Sequence, residues 1–112
     1  MRVLRLKKRK DISALLKTGK RAHAQSLTLV YLPSKQTKIA VCVGKKYGKS
    51  VQRNRIKRLL REAFRYYTDG CESVTALLIP KISEGYAYAQ FKRDLGSILK
   101  REGLLHPLPS PT

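Results

Sequence analysis

The sequence predicts a small α+β domain, and three observations indicate it. Three short apolar runs rich in β-forming residues end at proline or glycine, as strands do. Other segments place apolar residues at helical spacing, and the longest of these predicted helices is strongly basic. The chain has 112 residues, which suits one domain and leaves no room for a second large one.

The N-terminal part is predicted to hold a basic arm, a short helix and a strand. Residues 1–10 form the arm, and Asp11 is placed to cap a helix that Gly19 ends. The apolar positions of this helix have i, i+3, i+4 spacing: Ile12, Leu15 and Leu16. The strand covers residues 27–32 and ends at Pro33, where a turn follows.

A second strand, predicted over residues 39–43, has two different faces. Branched residues occupy its odd positions: Ile39, Val41 and Val43. Small residues follow at the even positions: Ala40, Cys42 and Gly44. Because strand side chains alternate between faces, one face is expected to pack on the core. The other face is expected where something approaches the sheet closely.

The C-terminal part is predicted to add a strand, a helix and a tail. The strand covers residues 73–79, and the helix covers residues 88–101, where apolar residues again have helical spacing. The domain is therefore predicted to span residues 1–103. Residues 104–112 hold three prolines and are predicted to form a disordered tail.

The positive charge is concentrated in the first part of the chain. Lys and Arg number 25 and Asp and Glu number 7, so the net charge is +18, and residues 1–65 carry all of it. Self-repulsion of that size opposes a compact state unless a polyanion neutralises it. A merely solubilising surface is disfavoured because apolar periodicity continues through the second basic block. Phosphate, from RNA, DNA or a lipid surface, is the expected counter-charge.

Membrane and secretion signals do not explain this charge. No stretch approaches the roughly 20 apolar residues of a membrane span, and residues 1–10 lack the apolar run of a secretory signal. Cys42 and Cys71 have no metal-ligand spacing and are too few for a disulfide scaffold. We therefore expect a cytoplasmic protein with reduced cysteines and no bound metal.

The helix predicted over residues 51–66 carries the main functional signal. Its apolar face has helical spacing: Ile56, Leu59, Leu60, Ala63, Phe64 and Tyr67. A cationic ridge steps by four along one border of that face: Arg53, Lys57 and Arg61. A second row lies beside the ridge: Asn54, Arg58 and Arg65. Guanidinium groups donate paired hydrogen bonds to phosphate, and the helix offers only Glu62 as an acidic partner, so the rows predict a polyanion-binding surface.

The loop before this helix resembles a nucleotide-binding P-loop but departs from it. Three residues separate Gly44 from Gly48, whereas the P-loop has four, so a nucleotide-hydrolysing role is disfavoured. The loop can still hold a phosphate at the helix N-terminus, where Ser50 is the expected N-cap. No catalytic site is expected, because His23 and His106 are far apart and no carboxylate pair is predicted.

Residues 45–64 contain a specific motif. They read Lys-Lys-Tyr-Gly-Lys-Ser-Val-Gln-Arg-Asn-Arg-Ile-Lys-Arg-Leu-Leu-Arg-Glu-Ala-Phe, with the Arg-Asn-Arg triplet at 53–55 as the centre. This segment resembles the signature of the bacterial ribonuclease P protein component. Residues 6–8, Asp11 and residues 17–19 resemble the family's first-helix region, and the order of elements matches over about residues 4–101.

The resemblance implies both a fold and a function. The fold is a two-layer α/β sandwich, whose four-stranded sheet has the long basic helix in a left-handed βαβ crossover, against the general rule. A fourth strand is expected around residues 21–25 or from a split of the strand at 27–32. The function is that of an accessory protein: a large RNA subunit removes the 5′ leader of precursor tRNA with Mg²⁺. The protein itself is expected to bind no cofactor and no small-molecule substrate and to supply no catalytic residue.

The resemblance also implies two sets of site residues. A leader-binding cleft between the sheet and the first helix is lined by Ile12, Leu16, Val30, Cys42, Arg53, Asn54, Lys57 and Arg61. The RNA subunit is contacted by Lys45, Lys46, Lys49, Arg55, Arg58 and Arg65. The family often has aromatic residues at positions 12, 16 and 30, which can stack on bases for about 1–3 kcal/mol each. Aliphatic residues here shift the expected leader affinity toward phosphate contacts.

Three other functions are alternatives that the charge alone does not separate. A ribosomal or other general RNA-binding protein is the main alternative, and the motif at 45–64 argues against it. A DNA-binding helix-turn-helix would need a second helix just before residue 51, where strand-like residues and a glycine loop stand. Binding to a membrane surface is the last alternative, and vesicle co-sedimentation would detect it.

Overall fold

The computed structural model describes residues 3–105 of the chain. Three α-helices lie within this range: α1 (Arg9–Thr18), α2 (Ser50–Tyr67) and α3 (Tyr88–Arg101). Five strands also lie within it: β1 (Leu4–Arg5), β2 (Lys20–His23), β3 (Leu27–Pro33), β4 (Lys38–Val41) and β5 (Val74–Pro80). The predicted α+β class is confirmed.

The strands form one sheet in the order β1-β4-β5-β3-β2. The central strand β5 is parallel to β4 and antiparallel to β3. Since α2 connects β4 to β5, these three elements form the expected βαβ unit. Its left-handed sense stays a prediction from the resemblance.

Helices cover both faces of the sheet. On one face, α2 and α3 enclose the larger hydrophobic cluster, which includes Ile39, Phe64 and Phe91. On the other face, α1 places Leu15 in a smaller cluster with Val30 and other residues of the strands. The fold therefore adds α1 on the second face to the sandwich of sheet and long helices.

The two faces of β4 differ as the alternation predicts. Ile39 and Val43 are buried in the cluster under α2 and α3, and Val41 packs against it. Ala40 packs on the α1 side, and Cys42 is exposed. The small side of this strand therefore borders open surface.

The N-terminal segment departs from the predicted arm. Leu4 and Arg5 form a strand parallel to β4, with Arg5 opposite Ile39. This strand is the fifth of a sheet expected to have four, and two residues are too short to give a sequence pattern. Helix α1 begins at Arg9, with Lys8 as N-cap, so Asp11 lies in the first turn and does not cap the helix. The strand expected near residues 21–25 is confirmed as β2 (Lys20–His23).

The fold continues past residue 103, the expected end of the domain. Leu104 is buried, and Leu105 forms a bridge with Cys71, so both belong to the fold and not to a tail that begins at 104. Their apolar side chains pack with the larger hydrophobic cluster, which explains the difference. The rest of the predicted tail, residues 106–112, lies outside the described residues.

Polar contacts fix α3 against the β2–β3 side of the sheet. The buried carboxylate of Asp94 accepts hydrogen bonds from the Ser26 N–H (3.0 Å) and hydroxyl (2.5 Å). The Tyr31 hydroxyl donates to Glu102 Oε1 at 2.7 Å, and burial together with this bond raises the pKa of Tyr31 to about 12. The last helix is therefore held by charged hydrogen bonds as well as by apolar packing.

Within residues 3–105, none of the helices has the length and apolar character that crossing a bilayer requires.

Candidate nucleic-acid interface

The cationic ridge of α2 lies where the helical wheel predicts it. Ile56, Leu60 and Phe64 are buried in the core, which fixes the rotation of the helix. The ridge residues Arg53, Lys57 and Arg61 are half-buried along the border of that face. The second row and its neighbour are exposed: Asn54, Arg55, Arg58 and Arg65. The helix thus presents a half-buried row of cations, the ridge, and an exposed row beside it.

Arg53 is held at the start of the ridge. Its Nη2 donates to Ser50 Oγ at 3.1 Å, while its Nε is buried without a hydrogen-bond partner among the described residues. An unpaired buried donor costs about 1–3 kcal/mol. A bound anion could satisfy this donor, so the position of Arg53 suits binding.

Arg61 occupies the other end of the ridge, close to Arg5. Burial and then the positive charge of Arg5 lower the pKa of Arg61 from its ordinary value. The proximity follows from the parallel pairing of β1 with β4, which puts Arg5 opposite Ile39. Nothing in the local sequence around Arg5 indicates this neighbour, so sequence reasoning missed it.

The basic loop before α2 has a fixed backbone. Lys45–Tyr47 forms a single 3₁₀ turn, and the Tyr47 hydroxyl donates to the Pro80 carbonyl at 2.6 Å. Gly48 has φ +116°, and a side chain there would collide with Gln52. Gln52 Oε1 in turn accepts from the Lys49 N–H at 3.0 Å and so caps the helix, with Lys49 and not Ser50 as N-cap.

This rigid turn exposes three lysines at the helix N-terminus. Lys45, Lys46 and Lys49 are all exposed. The N-terminal N–H groups of a helix also favour anions. The cations of this loop and those on the outer side of α2 follow one another in the sequence, and their side chains are exposed. Together they form one exposed basic stretch.

The α1 face holds the apolar candidates for the leader-binding cleft. Ile12 is half-buried beside the smaller cluster, and Leu16 is 37% exposed. Cys42 follows β4 on the exposed side of the sheet. These three residues are accessible on the face that α1 only partly covers.

Val30 does not line an accessible surface. Its side chain is completely buried beneath α1. A Cβ on Gly19 would lie 2.8 Å from Val30 Cγ1, so the end of α1 sits directly on this residue. The expected position in an accessible cleft is therefore wrong for Val30, because the end of α1 covers its side chain.

The expected cleft residues fall into two groups. Ile12, Leu16 and Cys42 belong to the α1 face, whereas the ridge and Asn54 belong to α2, which packs on the opposite face. The sheet separates the groups, and Arg61 approaches the sheet at the edge strand β1. A ligand that contacts both groups must therefore reach from one side of the sheet to the other.

Comparisons with known proteins show the family of this chain. A family model described as Ribonuclease P matches residues 1–103. The ribonuclease P protein component of Clostridium kluyveri is 38% identical over 112 aligned residues, covering 93% of this chain and 98% of that protein. This chain belongs to the ribonuclease P protein family.

Further ribonuclease P proteins support the assignment. The component from Chlamydia trachomatis serovar A is 34% identical and covers 95% of this chain and 88% of its own. The Staphylococcus aureus RNase P protein structure has a TM-score of 0.81 at 23% identity, covering 94% and 100% of the two chains. The Thermotoga maritima protein has a TM-score of 0.76 at 25% identity, covering 87% and 96%.

The family decides between the functions that charge alone left open. The role supported for this chain is that of the ribonuclease P protein subunit, an RNA-binding protein of tRNA processing. A ribosomal or general RNA-binding role is not favoured by these matches. As a ribonuclease P protein, the chain has an RNA subunit as its partner.

The described part of the chain offers no obvious metal centre. Within residues 3–105, no group of three His, Cys, Asp or Glu side chains is placed to hold a metal ion. His23 instead has its Nδ1 2.9 Å from the Thr28 hydroxyl.

Proposed function

We propose that this ribonuclease P protein binds the catalytic RNA subunit and the 5′ leader of precursor tRNA and thereby promotes Mg²⁺-dependent removal of the leader. The observation that carries the proposal is the pair of cationic rows on α2. Glu62 is the one acidic residue of this helix. The RNA subunit and its Mg²⁺ perform the hydrolysis, and the protein supplies binding and charge.

Electrostatics explains why such a protein helps. Two RNAs that must meet repel each other, and divalent ions or protein cations have to screen them. Each phosphate that Lys or Arg neutralises releases bound counterions and adds affinity that falls steeply with salt. A chain with a net charge of +18 placed between the RNAs lowers the Mg²⁺ concentration that assembly needs.

We assign the leader to the α1 face and the ridge. Leu16, Ile12 and Cys42 give apolar contact to bases, and the half-buried ridge arginines and lysine meet the leader phosphates. Because aliphatic residues replace stacking aromatics, the ridge carries the larger share of leader affinity. Val30 supports α1 from below and does not contact the leader.

The RNA subunit is assigned to the exposed basic stretch. Its members protrude from the rigid turn and from the outer side of α2: Lys45, Lys46, Lys49, Arg55, Arg58 and Arg65. Exposed cations can reach the irregular backbone of a folded RNA. A fixed turn also presents them with less loss of conformational entropy.

Reconstitution tests the proposal directly. We expect the purified protein, added to a cognate ribonuclease P RNA, to stimulate 5′ leader removal at low Mg²⁺, whereas the protein alone cleaves nothing. Stimulation should decline as Mg²⁺ is raised, because the ion then replaces the protein's screening. Cleavage by the RNA-free protein, or no stimulation at any Mg²⁺ concentration, would contradict the proposal.

Thiol labelling tests the position of the leader. Cys42 is exposed, whereas Cys71 is 3% exposed and burial raises its pKa to about 11. Iodoacetamide at pH 8 should therefore modify Cys42 and spare Cys71, since the thiolate is the reactive form. In the holoenzyme, precursor tRNA with its leader should slow labelling of Cys42 by severalfold, measured by mass spectrometry of the digested protein.

Mature tRNA is the matched control for this labelling. It occupies the same holoenzyme but lacks the leader, so Cys42 should react at the rate seen without tRNA. Cys71 serves as an internal reference for unfolding. Equal labelling of Cys42 with and without the leader would remove the α1 face from the leader path.

A further inference from the structure

A small cavity lies at the β1 edge of the sheet, where the two expected binding surfaces meet. Its volume is about 80 Å³. Three arginines and three apolar residues line it: Arg5, Arg61, Arg65, Val3, Leu4 and Ile39. No carboxylate is among these lining residues.

The fold brings the three guanidinium groups together from distant parts of the chain. β1 pairs in parallel with β4, so Arg5 lies opposite Ile39 on the side of the sheet that α2 covers. Arg61 and Arg65 are one helical turn apart on α2 and point in similar directions. The lining thus combines three cations with apolar residues of β1 and β4.

Positive charges lie close together in this cavity. Arg5 repels Arg61, which lowers the pKa of the Arg61 guanidinium beyond the effect of burial. Such repulsion opposes folding unless an anion is bound between the charges. The free protein therefore holds an electrostatic cost that a bound phosphate would remove.

We propose that this cavity binds a single phosphate group of an RNA backbone, with Arg5, Arg61 and Arg65 as its ligands. Its volume leaves room for a small group such as a phosphate. Guanidinium groups bind phosphate oxygens in pairs, so three of them can satisfy one group from several sides. This site rests on the proposed function and makes it more specific.

The site also unites residues that the family resemblance separates. Arg61 is expected at the leader and Arg65 at the RNA subunit, yet both line this cavity. Arg5 is in neither set. One phosphodiester, from either the leader or the RNA subunit, therefore contacts all three, and the ridge continues around the sheet edge to β1.

Charge-removing variants test the site through their coupling. Arg5→Gln, Arg65→Gln and the double variant are compared for affinity to the cognate ribonuclease P RNA and, as holoenzyme, to precursor tRNA and mature tRNA. Each single variant should weaken one of these interactions by about 3–10-fold, as expected for one lost phosphate contact. The double variant should depart at least threefold from the product of the single factors, because both residues hold the same phosphate.

Salt dependence gives a second measure. If all three arginines hold one phosphate, only one phosphate contact can be lost. The slope of log affinity against log salt should then fall by no more than roughly 0.7–0.9, even in the double variant. Lys100→Gln, an exposed cation of α3, is the charge-matched control and should change neither affinity nor slope. In the double variant Arg5→Gln/Arg58→Gln, the two single-variant factors in affinity should multiply, since Arg58 does not line the cavity.

The outcomes show which RNA supplies the phosphate. They also show whether the site or the proposed function fails. Weaker binding of the RNA subunit places the phosphate there, and weaker binding of precursor tRNA but not mature tRNA places it in the leader. Multiplicative factors, a slope change twice the single-contact value, or an Arg5→Gln variant equal to Lys100→Gln would overturn the site. If wild-type protein stimulates cleavage in that case, the proposed function stands without it.

Stability of the free protein guards against a folding artefact. Removing Arg5 relieves repulsion, so Arg5→Gln should unfold at the same or a higher temperature than wild type in the absence of RNA. A lower unfolding temperature would contradict the electrostatic reasoning on which the site depends.

Discussion

Arg53→Ala is expected to weaken RNA binding by about 10-fold to 100-fold, which corresponds to the 1.5–3 kcal/mol of a hydrogen bond to a charged group. Arg53 starts the ridge, and its guanidinium is only partly engaged, through Nη2 and Ser50 Oγ. The slope of log affinity against log salt should also fall by roughly 0.7–0.9, because one phosphate contact is lost. Filter binding of leader-bearing substrate to the holoenzyme over a range of salt measures both quantities.

Two variants serve as controls for this result. Lys100→Ala removes a charge far from the ridge on α3 and should leave the salt slope unchanged. Arg53→Lys keeps the charge but loses the planar donor pair, so we expect an intermediate affinity with nearly the wild-type slope. A steep, unaltered slope in Arg53→Ala would exclude Arg53 from the phosphate contacts.

Phe64→Ala is expected to lower the free energy of unfolding by about 3–5 kcal/mol. Phe64 is 1% exposed and lies in the cluster that joins α2, α3 and the sheet. A domain of this size has about 5–15 kcal/mol of total stability, so the loss is a large fraction of it. Urea unfolding followed by circular dichroism measures the change.

Val51→Ala is the matched control on the same helix. Val51 is 81% exposed, so its truncation should change stability by less than about 0.5 kcal/mol. Adding ribonuclease P RNA should partly restore the midpoint of Phe64→Ala, because a ligand that binds only the folded state stabilises it. Equal destabilisation by both substitutions would show that α2 does not pack as described.

The helices could be predicted from the sequence because their apolar spacing is long and regular. The final helix has the predicted bounds, and the rotation of α2 follows from five buried positions alone. The ridge was predictable for the same reason, since a residue next to a buried face is half-buried wherever the helix docks. Its binding roles stay a prediction.

Long-range pairings could not be predicted. β1 consists of Leu4 and Arg5, and their partners on β4 lie more than 30 residues away, so no local pattern shows the strand or the contact between Arg5 and Arg61. The burial of Val30 depends on where α1 ends over the sheet, which the strand's own alternation does not reveal. Local periodicity gives the face of an element but not what covers it.

The position of β5 has a consequence for how the protein is made. Among residues 3–105, β5 is the last strand in sequence, yet it alone connects the β1–β4 pair with the β3–β2 pair in the sheet. On the ribosome, both pairs must wait until residue 80 has left the exit tunnel before they can join. Until then, the emerging chain carries all of its excess positive charge without a completed core, close to ribosomal RNA. The time taken to translate the residues that follow β5, and so to bring residue 80 out of the tunnel, therefore sets how long this exposed, cationic nascent chain persists.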